Sequence, residues 1–449
     1  MARDRRDLQD RQQQRDAVKQ ARIREQKRVR RKLILTVLIL AACAAAVLLI
    51  ARNNSLLMPK EEVAEETVDE SLETQVTQPT EETSSRLNQP KKVIHIRAAG
   101  DLNVTREVVQ SGVVGKKFDF TQSFIDVAPL LSEADWTVLN FEGNVCGEPY
   151  GDETRSAPPE ILTALLNAGV DMVQTANSYS IHNGLIGLTA TLQSIRNSGL
   201  IPVGSYTSPQ EFDRMKGYDI VDIEGVKVAF VAFTKGVGGM GMPAGNESCV
   251  NLLYEDYDST YQKVDTKRIT KVLRSAAAEK PDLMVAMLHW GSEYNDNISK
   301  TQTEIINLMK KEGVDLIIGS HPHTVQKIEF DEAAGTLVAY SLGDFYGDAI
   351  RAGTNYSIIL DVEITKDPGT GDTKVTDFSY FPIYTLSQYE REEKNSVRKQ
   401  VLRIGSAMQA RDGNFVDRVT ADAYNSMQYS LARITARVHG EDVKDENKP

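Results

Sequence analysis

Residues of the types that bind metal ions follow five separate apolar segments of this chain. Each segment has the length of a strand, and it ends at a carboxylate, an amide or an imidazole. These residues are Asp101, Asn140, Glu142, Asn177, His289, His321 and His323. Ligands of open α/β sheets bind beyond the carboxyl ends of the strands, so we expect these side chains to share one sheet edge. A single Asp after a strand is usually a turn or a helix cap, and only their joint occurrence indicates a site.

His321 and His323 are separated by one proline, Pro322. Residues two apart in an extended segment point the same way, and Pro322 fixes the backbone between them, so both imidazoles are expected to reach one metal. The alternative is a loop in which one histidine packs and the other is solvated. We favour the metal interpretation because Gly319 and Ser320 supply a tight turn directly after the preceding strand.

His289 also ends an apolar run, and Glu293 is expected to orient its second ring nitrogen. Taken alone, His289 would more often be a hydrogen-bonded core histidine. Mixed carboxylate, amide and imidazole ligands suit Mn, Fe or Zn better than Ca. We therefore predict a site for divalent metal, with two ions able to activate a bridging water for hydrolysis. The predicted ligands are Asp101, Glu142, Asn177, His289, His321 and His323.

The elements that must position these residues alternate between strands and helices. Helical periodicity is found over 184–197, 267–279 and 302–312, and each of these segments is flanked by an apolar strand-like run. Glu224-Gly225 separates two apolar runs and predicts a hairpin. Alternating βαβ units combined with hairpins indicate a layered α/β fold and not a pure Rossmann sheet.

The composition is that of a globular protein with an uneven charge distribution. The chain has 449 residues with 41% hydrophobic and 26% charged residues, which excludes wholesale disorder. The net charge is -11, yet residues 1–32 hold 13 Lys/Arg and 5 Asp/Glu, so the remainder is more acidic still. An acidic total argues against nucleic acid as a partner. The three cysteines cannot form a disulfide scaffold and lack zinc-ribbon spacing.

Residues 33–51 are predicted to form one transmembrane helix. Residues 33–50 contain no charge or proline, and as a helix they would span about 27 Å. The basic residues 1–32 should then stay in the cytoplasm as a head, and the long C-terminal part should lie outside the cell. Cleavage as a secretory signal and lipidation at Cys43, which follows Leu40-Ala41-Ala42, are the alternatives.

The rest of the chain divides into a linker, a domain and a tail. Residues 52–92 are acidic, rich in Thr and Ser and poor in aromatics, so they are predicted to be a disordered linker. Residues 93–384 are predicted to form the folded domain. Residues 385–449 are expected to be polar helices that form a cap or a partner-binding tail.

The ordered motifs resemble those of the CapA/PgsA family of poly-γ-glutamate capsule synthesis proteins, over about residues 93–385. The family is similar to calcineurin-like metallophosphatases, so the resemblance implies a layered α-β-β-α sandwich with a dinuclear metal site. It also implies a role in making or exporting poly-γ-glutamate, or another anionic surface polymer, beside membrane-bound capsule synthase subunits. The motifs are Gly100-Asp101, Asn140-Phe141-Glu142, Thr175-Ala176-Asn177, His289-Trp290-Gly291-Ser292-Glu293, Gly319-Ser320-His321-Pro322-His323 and Tyr340-Ser341-Leu342-Gly343-Asp344-Phe345.

Two motifs depart from the family pattern. The family usually has Ala-Asn-Asn-His, two residues and Asp, and here Ser178, Tyr179 and His182 replace the second Asn, the His and the Asp. The usual Gly-Asn-Phe has become Gly343-Asp344-Phe345. In metallophosphatases the Asn-His pair supplies a metal ligand and a proton donor, and we hypothesise that His182 replaces the lost imidazole.

Two kinds of function follow from these motifs. The first is a metal-dependent hydrolase of an amide or a phosphoester, with His182, Tyr179 and Glu293 as its catalytic residues; a cell-surface phosphoesterase is its broader form. The second is a non-catalytic assembly or polymer-binding factor. The changes at Ser178 and Tyr179 favour the second, and the retained metal ligands favour the first.

Overall fold

The computed structural model describes residues 90–392, 397–405 and 419–441. The predicted basic head (1–32), the transmembrane helix (33–51) and all of the predicted linker before residue 90 lie outside the described residues. Within the described ranges, no helix combines the length and the apolarity needed to cross a bilayer.

The described chain alternates strands and helices, as its periodicity predicts. The strands are β1 (Lys92–Asn103), β2 (Val113–Val114), β3 (Lys117–Phe118), β4 (Trp136–Glu142), β5 (Met172–Gln174), β6 (Ile201–Val203), β7 (Tyr218–Ile223), β8 (Val226–Thr234), β9 (Leu283–His289), β10 (Leu316–Ser320), β11 (Ile328–Asp331), β12 (Thr336–Ala339), β13 (Asp344–Tyr346), β14 (Tyr356–Lys366), β15 (Thr373–Ser387) and β16 (Lys399–Arg403). The helices are α1 (Arg106–Ser111), α2 (Thr121–Phe124), α3 (Ala128–Glu133), α4 (Glu160–Ala168), α5 (Gly184–Ser198), α6 (Pro209–Met215), α7 (Thr266–Ala277), α8 (Lys300–Lys311) and α9 (Ala421–Val438).

Two large sheets form the framework of the domain. The first has the order β16-β15-β14-β1-β4-β5-β6, and β13 also pairs with β1. In this sheet β1, β4, β5, β6 and β13 are parallel, and β14 to β16 add an antiparallel extension. The second sheet has the order β11-β12-β10-β9-β8-β7, with parallel central strands between antiparallel edge strands. Neighbouring parallel strands therefore end at the same side in each sheet.

The two sheets pack face to face, and helices cover their outer faces. Val138 of β4 and Val285 of β9 lie in one apolar core between the sheets. Leu139, the next residue along β4, points to the opposite face and packs with α4. The outer face of the second sheet packs in the same way against α7 and α8, through side chains such as Ile269 and Ile305. The layers run helix, sheet, sheet, helix, which confirms the predicted α-β-β-α arrangement.

The sequence pattern predicts helices after residue 384, but the structure shows that part of this segment forms strands. β15 continues to Ser387, and β16 (Lys399–Arg403) pairs antiparallel with it. Val401 of β16 is buried against the helical side of the first sheet, and this burial stabilises the strand. The prediction is therefore wrong over this edge strand. Helix α9 is present at 421–438, and its buried residues Met427 and Ile434 join the core between the sheets.

Candidate metal centre

The predicted ligands lie at the carboxyl ends of strands from both sheets. Asp101 lies on β1 and Glu142 ends β4 in the first sheet, whereas His289 ends β9 in the second sheet. His289 Nε2 lies 3.1 Å from Glu142 Oε1, and the backbone amide of His321 donates to Asp101 Oδ2 at 3.0 Å. The prediction of a single sheet edge is corrected here: the site forms where two stacked sheets meet, because each contributes the ends of its parallel strands.

Two glycines allow the backbones to approach closely at this place. A Cβ atom on Gly100 would lie 1.8 Å from the carbonyl oxygen of Gly343, and the amide of Asp101 donates to that same oxygen at 2.9 Å. A Cβ atom on Gly319 would lie 2.0 Å from the carbonyl oxygen of Tyr340. Side chains at either position would separate neighbouring strands, so the glycines that precede the ligands are required by packing.

One group of possible ligands joins Glu142, His289 and His321. A carboxylate oxygen and two ring nitrogens of these residues all lie within 4.8 Å of one another. All three side chains are buried, yet Glu142 Oε2 and His321 Nδ1 have no hydrogen-bond partner within the described part of the chain. Buried polar atoms are normally paired, so two unpaired acceptors facing one cluster fit the ligands of a cation.

A second group joins Asp101, His323 and Asp344. Their ligand atoms also lie within 4.8 Å of one another, and His323 Nδ1 is 2.8 Å from Asp344 Oδ1 and 3.7 Å from Asp101 Oδ2. His323 Nε2 lies 3.9 Å from Glu142 Oε2, so the two groups are adjacent. The donor set of three carboxylates and three imidazoles is compatible with a site for divalent metal.

Sequence reasoning did not include Asp344 among the ligands. Asp344 begins strand β13, whereas the predicted ligands follow apolar strand-like runs. A signal was present, because a carboxylate stands in the Gly343-Asp344-Phe345 motif where the related family usually has an amide.

The two asparagines hold the cluster through their amide groups. Asn140 Nδ2 donates to Asp101 Oδ1 at 2.6 Å. Asn177 Nδ2 donates to the carbonyl oxygen of Phe141 at 2.7 Å and to Asn140 Oδ1 at 3.2 Å, and Asn177 Oδ1 accepts from the amide of Tyr179 at 3.0 Å. Asn177, a predicted ligand, thus lies beside the cluster and links β4 to the loop after β5.

The segment His321-Pro322-His323 is not extended, contrary to the sequence-based expectation. His321 has φ +93° and His323 has φ +58°, so both residues lie in the region that glycine favours. The two rings still lie close together, with centroids 6.0 Å apart. A tight turn, and not the two-residue repeat of a strand, brings both imidazoles to the site. Such unfavourable backbone is typical of functional loops.

The expected contact between Glu293 and His289 is not formed. The second ring nitrogen of His289, Nδ1, lies 3.1 Å from the hydroxyl oxygen of Thr234, and its Nε2 faces Glu142. Glu293 is exposed, and its carboxylate lies near the rings of His321 and His323. The orienting role therefore belongs to Thr234, because β8 is the hydrogen-bonded neighbour of β9.

Tyr179 and His182 lie on the loop after β5. The ring of His182 contacts Tyr179 at 5.6 Å between centroids, and its Nε2 lies 3.0 Å from the carbonyl oxygen of Glu153. Three groups of possible ligands occur among the described residues, the third being Glu293 with His321 and His323, and His182 belongs to none of them. Tyr179 is half-buried, and the guanidinium of Arg155 stacks 4.5 Å from the centre of its ring. Burial, reinforced by the charge of Glu142, raises the pKa of Tyr179.

The cluster perturbs the acidity of its own members in opposite directions. Burial and the neighbouring charge of Glu142 raise the pKa of Asp101. Burial would also raise the pKa of Glu142, but the charges of His289 and His323 outweigh it and lower that pKa. Burial and the charge of His289 lower the pKa of His321 well below its usual range. His321 is therefore neutral at pH 7, as a metal ligand must be.

His323 behaves differently because it faces carboxylates. Burial alone would lower the pKa of His323, but the charges of Asp344 and Glu142 outweigh burial and raise it well above its usual range. Burial raises the pKa of Asp344 to about 7. Without a cation the pair therefore retains a proton that a bound metal would displace.

A cleft of about 330 Å³ opens next to the cluster. The residues that line it include Ser178, Lys235, Tyr261, Glu293 and His321. Burial lowers the pKa of Lys235, and the charge of Glu293 opposes that effect. A substrate that enters this cleft would reach the metal ligands through His321.

Comparison with known proteins assigns the chain to a family. The sequence model of the bacterial capsule synthesis protein family PGA_cap matches residues 95–349, which contain the whole cluster. The chain belongs to this family, which confirms the predicted relationship to the CapA/PgsA proteins.

Two curated relatives are both named CapA. The PGA biosynthesis protein CapA of Bacillus subtilis (strain 168) is 28% identical over 258 residues, which cover 56% of this chain and 63% of that protein. The capsule biosynthesis protein CapA of Bacillus anthracis is 28% identical over 278 residues, covering 60% of this chain and 64% of that protein. The matched segment thus spans less than two thirds of either relative. Among solved structures, the calcineurin-like phosphoesterase YfkN of Bacillus subtilis superposes with a TM-score of 0.41 at 16% identity, covering 77% of this chain and 98% of that one.

Proposed function

We propose that this protein is a membrane-anchored, extracytoplasmic component of poly-γ-glutamate capsule biosynthesis or export, with a dinuclear metal centre. Membership of the capsule synthesis family and similarity to two CapA proteins support the capsule role. The apolar residues 33–51 after a basic head support an anchor with its N-terminus in the cytoplasm. The partners would be the anionic polymer and membrane-bound synthase subunits.

The observation that carries the proposal is the buried, incompletely paired cluster. Asp101, Glu142 and Asp344 are each at most 3% exposed, and their charges are close together. Burying several carboxylates at one place is costly unless cations compensate them. Asp101, His323 and Asp344 would hold one ion, and Glu142 with the remaining two imidazoles would hold the other. A bound pair of divalent ions supplies Lewis acidity and a nucleophilic water at neutral pH.

Hydrolysis is the activity that the site supports best, with Tyr179 as the proton donor. Tyr179 stands at the position of the proton-donating histidine of related phosphatases, and its phenol, whose pKa is raised, carries a proton at neutral pH that it can donate. Arg155, stacked on the ring, would hold it in place. The bond cleaved would be an amide or a phosphoester of an anionic surface polymer.

A non-catalytic, polymer-binding role is the second candidate. It is favoured by Ser178, which lines the cleft at the position where related enzymes have a ligand asparagine. A serine hydroxyl is a weaker metal ligand than an amide oxygen, so one ion would be held less firmly. In this case the centre would shape a binding surface for polymer or for synthase subunits.

Elemental analysis of the full-length chain, purified in detergent, tests the metal centre. We expect about two transition-metal ions per chain, as in two-metal hydrolases, and loss of both in a His289→Ala, His321→Ala double variant. His95→Ala is the matched control, because this histidine lies outside the cluster and pairs with Asp361. A wild-type chain that stays metal-free after reconstitution with Mn, Fe or Zn would contradict the proposal.

Tyr179→Phe separates the two candidate activities. The substitution removes the hydroxyl and keeps the ring on which Arg155 stacks. If the protein is a hydrolase, the variant should keep its metal and lose turnover of phosphoester or γ-glutamyl substrates, together with capsule production in a complemented deletion strain. Capsule production at the wild-type level would instead favour the binding role.

A further inference from the structure

Three cation–tyrosine pairs surround the metal-binding cluster. In each pair the charged group lies 4.3–4.5 Å from the centre of a tyrosine ring, within the range of a favourable cation–π interaction. The pairs are Arg155 with Tyr179, Lys235 with Tyr261, and Arg351 with Tyr294. They come from three different loops, after β4, β8 and β13 respectively.

Each pair is directly connected to a residue of the cluster or its strands. The ring of Tyr294 stacks on His323 with centroids 5.4 Å apart. Lys235 lines the same cleft as His321. Arg155 donates to the side chain of Asn103 at 3.2 Å, at the end of the strand that carries Asp101. Three different loops therefore each place one cation beside the metal-binding cluster or the strands that carry it.

None of the three cations forms an ion pair with a carboxylate of the described chain. Elsewhere in the same structure cations are commonly paired: Arg97 with Asp361 at 3.0 Å and Arg274 with Glu312 at 2.8 Å are two examples. Lys235 instead donates to a backbone carbonyl oxygen, that of Gly291, at 2.6 Å. One ammonium has three donors, so two remain for a ligand.

This arrangement is unexpected in an acidic chain. With a net charge of -11 and a strongly basic head, the folded part would repel a polyanion at long range. Cations that lack a carboxylate within ion-pair distance and are held on tyrosine rings near the metal-binding cluster provide local attraction where the overall charge opposes it. Holding them on the rings also reduces the ordering cost of binding.

We infer that Arg155, Lys235 and Arg351 bind successive carboxylates of an anionic chain of the poly-γ-glutamate type and position it over the metal centre. Repeated carboxylates along a flexible chain supply one anionic partner for each of the three cations. The inference rests on the proposed function and names the residues that would bind its polymer.

Binding of a fluorescent γ-linked glutamate oligomer to the full-length protein in detergent, followed by anisotropy, tests this inference. Each of Arg155→Gln, Lys235→Met and Arg351→Gln should weaken binding about two- to tenfold, and the triple variant should weaken it by much more than any single one. Lys327→Met is the matched control, because Lys327 also stacks on a tyrosine, Tyr340 at 4.9 Å, but lies outside the cleft beside Glu329. The control should bind as tightly as wild type.

The outcomes separate this inference from the proposed function. If the triple variant binds the oligomer as tightly as wild type, the role of the cations is overturned. The same conclusion follows if Lys327→Met weakens binding as much as the substitutions of the three cations do. Wild-type protein that holds metal but does not bind the oligomer, or that binds polyphosphate more tightly, would overturn the carboxylate ligand. The metal content of the wild-type chain, which is measured separately, shows whether the proposed metal centre itself is wrong.

Discussion

Replacing His321 with alanine should remove most of the stabilisation that a bound metal gives, while the metal-free protein stays nearly as stable as before. The side chain of His321 is buried, and its Nδ1 has no partner in the described ranges. In the metal-free protein the substitution removes an unsatisfied buried polar atom, and this raises the free energy of unfolding by about 1–3 kcal/mol. It also loses packing, at a cost of about the same size. The two effects oppose each other, so we expect a net change below about 2 kcal/mol.

The metal-bound protein should respond differently. At a metal concentration about 100 times Kd, binding stabilises the wild-type fold by about 2.7 kcal/mol. In a domain of this size that corresponds to a rise in Tm of about 5 °C. Loss of a partner around a metal weakens affinity by about 10–100-fold, and loss of a ligand by at least as much. At the same metal concentration, binding then stabilises the variant by at most about 0.4–1.4 kcal/mol, which corresponds to a rise in Tm of about 1–3 °C.

Calorimetric unfolding of the full-length protein in detergent, with chelator and with Mn or Zn, measures both effects. His95→Ala is the control: His95 Nδ1 lies 3.3 Å from Asp361 and outside the cluster, so this variant should keep the wild-type rise in Tm. A His321→Ala protein that shows the full metal-induced rise would refute the reasoning. An equal destabilisation with and without metal would identify His321 as an ordinary core residue.

Three further predictions concern the same domain. Above about pH 6.5 an unfolded histidine has lost its proton, so the lowered pKa of His321 no longer matters there, and the raised pKa values of His323 and Asp344, the latter about 7, leave the metal-free fold with more bound protons than the unfolded chain. The stability of the protein in chelator should therefore fall as pH rises from about 6.5 to 8, and the stabilisation by metal should grow over the same window; a constant difference in Tm would contradict this. Arg97→Met should lower the free energy of unfolding by about 3 kcal/mol because it removes the guanidinium from the buried carboxylate of Asp361 and leaves only His95 beside it, and a urea titration in which adding Asp361→Leu restores nothing would count against that cause. Gly100→Ala should abolish metal binding, because its Cβ would lie 1.8 Å from the carbonyl oxygen of Gly343, directly before Asp344; normal metal content by elemental analysis would disprove the steric argument.

The fold class and most of the ligands could be predicted because their signals are local. A strand such as β9 (Leu283–His289) is buried on both faces, and it therefore appears in the sequence as a continuous apolar run. The polar residue at the end of such a run is conspicuous, and Asp101, Glu142 and His289 were found in this way. The order of these runs and helices also indicated layers of helix and sheet.

Other features depended on contacts between distant segments, which no local pattern contains. The turn at His321 has positive φ, and its amide is held by the carboxylate of Asp101, 220 residues away. The edge strand Lys399–Arg403 exists because β15 offers a partner, and its sequence alone suggested a helix.

The sequence by itself determined which residue types stand at the ends of the buried strands, because the hydrophobic pattern and composition of a strand indicate that it is buried. Only the tertiary structure decided which of these ends meet. Asp344 joins the cluster from the start of a strand, and Thr234 replaces Glu293 as the partner of His289. Arg155 reaches Tyr179 from a separate loop. These contacts follow from how the two sheets stack and how the loops between them fold back, and packing of that kind is a property of the whole chain.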